Sequence, residues 1–200
     1  MYKNRVVTAI ICITAVAGLS GCDMIMGLVR AKRASVKWEG PVKEITFARL
    51  DKEGAVFDIE MHSRIDAPVE RVWEAMAHPE RLADYSDMYK LSRLVKEEGN
   101  TKQLEIHMLA LDNLQTLTVE LAFDKENRRI SIKTISSSIA DIDGSYELVP
   151  SPDGTKTLYV YKAIQTDKVQ IPISTDVQRS AIKESFVNQI NAMKKQMGLG

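Results

Sequence analysis

IDAPVERVWEAMAHPERLADYSD, residues Ile65 to Asp87, reads as the end of a strand that turns into a helix and then into a second, shorter one. Pro68 suits the first helical position, because its missing N–H would have no partner there. Val69, Val72, Trp73 and Met76 then recur at helical spacing and give that helix one apolar face. His78-Pro79 interrupts it: proline cannot donate a hydrogen bond and restrains the residue before it, so the chain bends and restarts through Leu82 and Tyr85. Almost everything downstream follows strand pattern until one last long helix. The bent pair is therefore expected to fill one opening of a curved sheet.

Upstream, Ala55 to Asp66 predicts a strand, because Phe57, Ile59, Met61 and Ile65 alternate with Asp58, Glu60, His62 and Arg64; one face should be buried and the other wet. Downstream, Tyr89 to Lys96 predicts the next strand, ended by turn chemistry at Glu98 to Thr101. Alternation continues through Leu104, Ile106, Met108 and Ala110, then through Leu117, Val119, Leu121 and Phe123. Ile130 and Ile132, Ser145 to Val149, and Leu158, Val160 and Ile164 mark three more strands. About seven strands joined mostly by short turns imply an antiparallel meander. Thr175 and Gln178 stand at capping-box spacing before Ile182, Phe186, Ile190, Met193 and Met197, which predict a helix long enough to cross the sheet.

The order of these elements resembles the helix-grip fold of the START/SRPBCC superfamily, in which Bet v-like and polyketide cyclase-like proteins also fall. Two motifs carry the resemblance: Ile-x-Ala-Pro-x-x-x-Val-Trp, matched by Ile65, Ala67, Pro68, Val72 and Trp73, and Gly-x-aromatic-x-aliphatic, matched by Gly144, Tyr146 and Leu148. It covers about Ala55 to Gly198. The resemblance implies an α+β fold in which a curved antiparallel sheet wraps a long C-terminal helix, with two short helices after the first strand. It also implies a cavity between sheet and helix that takes a hydrophobic ligand. It does not fix activity, since members include lipid-transfer domains, cyclases and aromatases, hormone receptors and quinone-binding chaperones.

The N-terminus carries a different signal. Lys3 and Arg5 precede an apolar run from Val6 to Leu19 that closes on Leu19-Ser20-Gly21-Cys22. The run is too short for a hydrocarbon core that needs about 20 residues, and the pattern resembles a lipoprotein signal peptide cleaved before Cys22. Residues 1–21 are thus read as signal peptide, 22–54 as a lipid-anchored tether and 55–200 as the helix-grip domain. By that resemblance Cys22 is lipidated, with palmitate among the acyl groups expected. The protein would then face the periplasm of a bacterial cell envelope, and Asp23 tilts the choice toward the inner membrane. Within the tether, Val42 to Leu50 fits either a short strand or a helix.

Composition narrows the chemistry. Lys plus Arg and Asp plus Glu each number 27, a balance that excludes a dedicated nucleic-acid binder. The only cysteines are Cys12 and Cys22, so the body of the protein holds neither a disulfide framework nor a cysteine metal site. His62, His78 and His107 are dispersed, and no metal or other cofactor is expected. Glycine-rich phosphate loops, a GxSxG elbow and paired carboxylates are absent, and the Ser136-Ser137-Ser138 run has no base at a readable spacing; no catalytic residue is assigned.

The candidates for the cavity are Phe57, Met61, Trp73, Met76, Met108 and Phe123 from the first half of the domain. From the second half they are Tyr146, Phe186, Ile190 and Met193, with Tyr85 and Tyr89 beside Asp84 and Asp87 at a polar lip. Methionine suits a pocket that must fit varied apolar shapes. These readings favour a membrane-anchored binder, and possible carrier, of a lipid, quinone or polyprenoid over an enzyme. A cyclase or aromatase acting on a hydrophobic substrate, and an interaction protein without a cavity, stay open as alternatives. No protein partner is indicated.

Overall fold

The Ile65 to Asp87 stretch folds as a strand end, a helix, one tight turn and a second short helix, set at the side of an eight-stranded antiparallel sheet. A computed structural model describes residues 37–110, 113–170 and 172–199. The residues read as signal peptide, Cys22 and the residues read as tether up to 36 lie outside the described residues. The folded unit starts at Trp38. Its strands are β1 (Phe47–Glu53), β2 (Val56–Ile65), β3 (Tyr89–Glu98), β4 (Thr101–Ala110), β5 (Asn113–Asp124), β6 (Arg129–Ser137), β7 (Ala140–Pro150) and β8 (Thr157–Asp167). Its helices are α1 (Val69–Ala77), α2 (Leu82–Tyr85) and α3 (Thr175–Gln196), with a single 3-10 turn at Pro79–Arg81. The sheet order is β1-β2-β8-β7-β6-β5-β4-β3, so only the β2–β8 pairing joins strands distant in sequence. This is the helix-grip arrangement.

Helix α3 has 22 residues, about 33 Å, and presents Phe186, Ile190 and Met193 to the core, with Met197 buried just past its end. Helix α1 buries Val69, Val72, Ala75 and Met76. Side chains reaching backbone carbonyls fix the bent pair against the rest. The Thr157 hydroxyl donates to the Ala67 carbonyl at 2.8 Å, Lys102 Nζ to the Ala77 carbonyl at 2.8 Å and the Ser92 hydroxyl to the Pro79 carbonyl at 2.8 Å. The second of these places a cation at the negative end of α1. Arg71 donates to the carbonyl of Met197 and ties α1 to the end of α3.

Four expectations need correction. The segment read as tether contains β1, which pairs along its length with β2, so the domain begins upstream of residue 55. The outer face of β2 is not uniformly wet: Glu60 and Arg64 are buried, because β1 and β8 flank the strand and residues 38–40 supply acceptors for the Arg64 guanidinium. Glu60 is compensated by His62 at 3.0 Å, Lys162 at 3.6 Å and Arg49 at 3.7 Å. Pro68 stands one position before α1, where its carbonyl accepts from Arg71 and Val72. The α3 cap is Ser174 and not Thr175: its Oγ accepts from the Val177 amide at 3.3 Å, while Gln178 is buried and bonds to the Ile173 carbonyl.

Candidate functional site

Alternation along the strands sends one residue in two toward α3, and these inward side chains leave a cavity of about 280 Å³ between sheet and helix. Ile59 and Met61 of β2, Leu104, Ile106 and Met108 of β4, and Leu117, Val119 and Leu121 of β5 form much of one wall. Ala181, Ile182, Phe186 and Met193 form the helical wall, and Ala75, Met76, Pro79 and Leu82 from the bent pair close one side. The polar groups in the lining are all neutral: tyrosine and serine hydroxyls and glutamine amides. Among the described residues no Asp, Glu, Lys, Arg or His contributes to it.

Seven of the twelve side chains singled out from sequence meet at this cavity: Met61, Met76, Tyr89, Met108, Tyr146, Phe186 and Met193. The other five do not line it. Phe57 is wholly buried, with the Lys52 ammonium 4.4 Å from its ring centroid. That ammonium also bonds to Asp167 at 3.1 Å and to Gln178, so this corner holds α3 against β1 and β8. Trp73 is half-buried and meets Phe123 edge to face, with centroids 6.2 Å apart, and Lys102 stands over the Phe123 ring. Ile190 is fully buried in helix-to-sheet packing. Tyr85 points toward Arg81, whose guanidinium donates to its hydroxyl and lies 5.2 Å from its ring centroid.

Sequence reading missed Tyr161 and the glutamines Gln115, Gln165, Gln178 and Gln189, all of which line the cavity. In β8 the marked residues Leu158, Val160 and Ile164 belong to the outer face, since they pair with Arg64, His62 and Asp58. Tyr159, Tyr161, Ala163 and Gln165 are the inward set, opposite Ser63, Met61, Ile59 and Phe57. The glutamines carry no alternation signal, because a polar residue on an inward phase reads as a defect until the cavity is seen.

Tyrosines give the site its character. Tyr146 pairs directly with Tyr161 across β7 and β8, and their rings stack at 5.0 Å and 22°. Tyr159 lies 5.5 Å from Tyr146 and 5.8 Å from Phe186. Burial pushes the hydroxyls of Tyr89, Tyr146, Tyr159 and Tyr161 above the usual tyrosine range, so all four stay protonated at neutral pH. The Gln189 amide pairs with the Tyr146 hydroxyl and opposes that shift.

Among the described residues no group of His, Cys, Asp and Glu side chains is placed to hold a metal. His62 and His107 pair with Glu60 and Glu105 two residues earlier on their own strands, and His78 bridges Glu74 and Glu80. Ser137 lines the cavity from the end of β6, where its hydroxyl accepts from the amides of Ile139 and Ala140 in the turn to β7. The serine run follows directly on a bulge at Ile135, since Thr118 pairs with Ser136 and Val119 with Thr134.

Comparison with known proteins agrees with this geometry. The aromatase/cyclase Zhui from Streptomyces sp. R1128 superimposes with a TM-score of 0.64 at 16% identity, covering 72% of this chain and 94% of that one. A START superfamily protein from Mycobacterium smegmatis gives 0.59 at 12% identity, over 72% and 98% of the two chains. A STAR-related lipid transfer protein from Xanthomonas axonopodis gives 0.57 at 11% identity, over 75% and 98%. No curated protein matches the sequence significantly. A family profile described as polyketide cyclase/dehydrase and lipid transport matches residues 56–198, from the start of β2 to just beyond α3. The chain belongs to this polyketide cyclase/dehydrase and lipid transport family, and it shares its helix-grip fold with the START superfamily structure.

Proposed function

We propose that this protein binds a hydrophobic small molecule in the cavity between sheet and α3, and shelters or hands it over at a membrane to which an acylated Cys22 anchors it. The observation that carries the reading is an uncharged, mostly aliphatic cavity of about 280 Å³, close to the lower end of the roughly 300–1,000 Å³ range of ligand pockets. A packed core of this size would ordinarily be filled, because an apolar void forfeits its contacts on every side. The anchor rests on the sequence from Lys3 to Cys22 and places the ligand's source, a bilayer in the cell envelope, beside the binder. An acyl pair on Cys22 would suffice for stable attachment, since each buried CH2 contributes about 0.8 kcal/mol.

Mass spectrometry of organic extracts tests the binding reading. Full-length protein with Cys22 replaced by Ser is expected to release a co-purified hydrophobic compound, or to take one up from an added envelope lipid extract. Protein that does neither sinks it. The anchor has its own test, because Cys22→Ala should move the protein out of the detergent phase in phase separation, and unchanged partitioning refutes lipidation.

Cyclase or aromatase chemistry is the second reading, supported by the likeness to the Streptomyces enzyme and by tyrosine hydroxyls that line the cavity. A phenol can polarise a substrate carbonyl, but moving a proton also calls for a base within hydrogen-bond reach. Among the described residues the lining offers no carboxylate or imidazole. That chemistry favours the binder.

A further inference from the structure

The tyrosines do more than fill space. Tyr146 and Tyr161 lie mid-strand, and their stacked rings continue to Phe186 of α3, which lies 6.4 Å from Tyr161 at 27°. Tyr89, Tyr146 and Tyr161 all line the cavity, and the Tyr159 ring packs behind them 5.5 Å from that of Tyr146. Three tyrosines, one each from β3, β7 and β8, therefore face one cavity. Gln189 lines the cavity beside them, whereas Tyr159, whose buried hydroxyl has no hydrogen-bond partner, lies behind the lining. The lining hydroxyls of Tyr146 and Tyr161 and the Gln189 amide offer donors to an occupant, and a buried donor left unpaired costs about 1–3 kcal/mol.

Three classes of occupant differ in how they meet this cluster. A pure hydrocarbon leaves the donors unpaired. A carboxylate or phosphate would accept from them, but it would be stripped of water in a cavity with no cation in its lining, and burying an unpaired ion is far costlier than the hydrogen bonds return. A neutral carbonyl compound accepts hydrogen bonds without bringing a charge, and a flat one also fits the stacked Tyr146, Tyr161 and Phe186 rings. We propose that the cavity selects a compact, neutral, ring-containing molecule bearing a carbonyl oxygen, which Tyr146 and Tyr161 together with Gln189 hold, and that it discriminates against anionic lipids. This assignment rests on the reading of the cavity as a ligand site.

Three probes with one two-ring frame separate the terms: 2-methyl-1,4-naphthoquinone, 2-methylnaphthalene and 2-naphthoate. Calorimetric titration of the full chain carrying Cys22→Ser, at pH 8, should give the quinone a Kd at least tenfold below those of the other two. Tyr146→Phe and Tyr161→Phe should each remove most of that advantage and leave 2-methylnaphthalene binding unchanged. If either variant fails to fold, Gln189→Leu on α3 carries the same expectation. Equal binding of quinone and hydrocarbon, tighter binding of the naphthoate, or a quinone preference that survives all the variants overturns the carbonyl assignment while leaving the ligand site standing. If none of the three probes binds, the carbonyl assignment falls, while the extraction test decides separately whether the cavity is a ligand site.

Discussion

Gly144 sits opposite Ala163 where β7 crosses β8, and it is a place where one methyl group decides the packing. A Cβ built there would run into the Lys162 carbonyl oxygen and lie 2.6 Å from the Ala163 Cβ, and neither neighbour is the far end of a flexible side chain. Gly144→Ala must push the two strands apart two residues from Tyr146, and is expected to lower stability by roughly 2–3 kcal/mol in urea unfolding. Asp153 works through ionisation. Its carboxylate accepts from Ser151 and from the amide and hydroxyl of Thr155, which draw its pKa down from 3.8 to about 2. A depressed carboxylate pKa contributes stability that is complete above the unfolded value and fades as pH falls through the folded one. Wild type should therefore lose this contribution between about pH 4 and pH 2. Asp153→Asn should flatten that part of the stability profile, and NMR titration of the Asp153 side chain should locate its midpoint near the low end.

At the scale of elements, the start of α3 separates two sequence readings that differ by one residue. Ser174 makes the capping bond, so Ser174→Ala should cost about 1 kcal/mol in denaturant unfolding while Thr175→Ala stays close to neutral. A reversed pair of values would return the cap to Thr175. Strand β1 offers a larger effect. A chain starting at Ala55 loses β1 as partner of β2 and removes the carbonyls of Trp38, Glu39 and Gly40 that accept from the buried Arg64 guanidinium. It should be less stable than a chain starting at Trp38 by roughly 3 kcal/mol or more, and more prone to associate through the exposed edge of β2. Clean alternation made β2, β4 and β5 legible, and the Pro68 and Pro79 breaks made the bent pair legible. Strand β1 was not, because its inward residues are Ala48, Leu50 and Lys52, of which only Leu50 is a large buried aliphatic. The tyrosine side of the cavity was hidden for the opposite reason. In Leu158-Tyr159-Val160-Tyr161 both phases are apolar, so the sequence alone does not say which one faces the helix.

For the whole molecule, the open question is whether the fold keeps its cavity for an occupant or merely tolerates it. Ala181 lies on α3 and lines the cavity, and Ala192, on the same helix, is buried but lies outside the lining. Putting an indole at residue 181 adds apolar surface where there is space to receive it, so Ala181→Trp should leave thermal stability unchanged or raise it while abolishing binding of the naphthoquinone probe. The same side chain at residue 192 enters packing that is already closed, so Ala192→Trp should destabilise by roughly 2 kcal/mol or more. Thermal unfolding and calorimetric titration of the two variants, side by side, decide the matter. Retained binding in a stable Ala181→Trp protein would mean that the ligand does not use this cavity. Equal destabilisation at both positions would mean that the space beside Ala181 is not available to any occupant of that size.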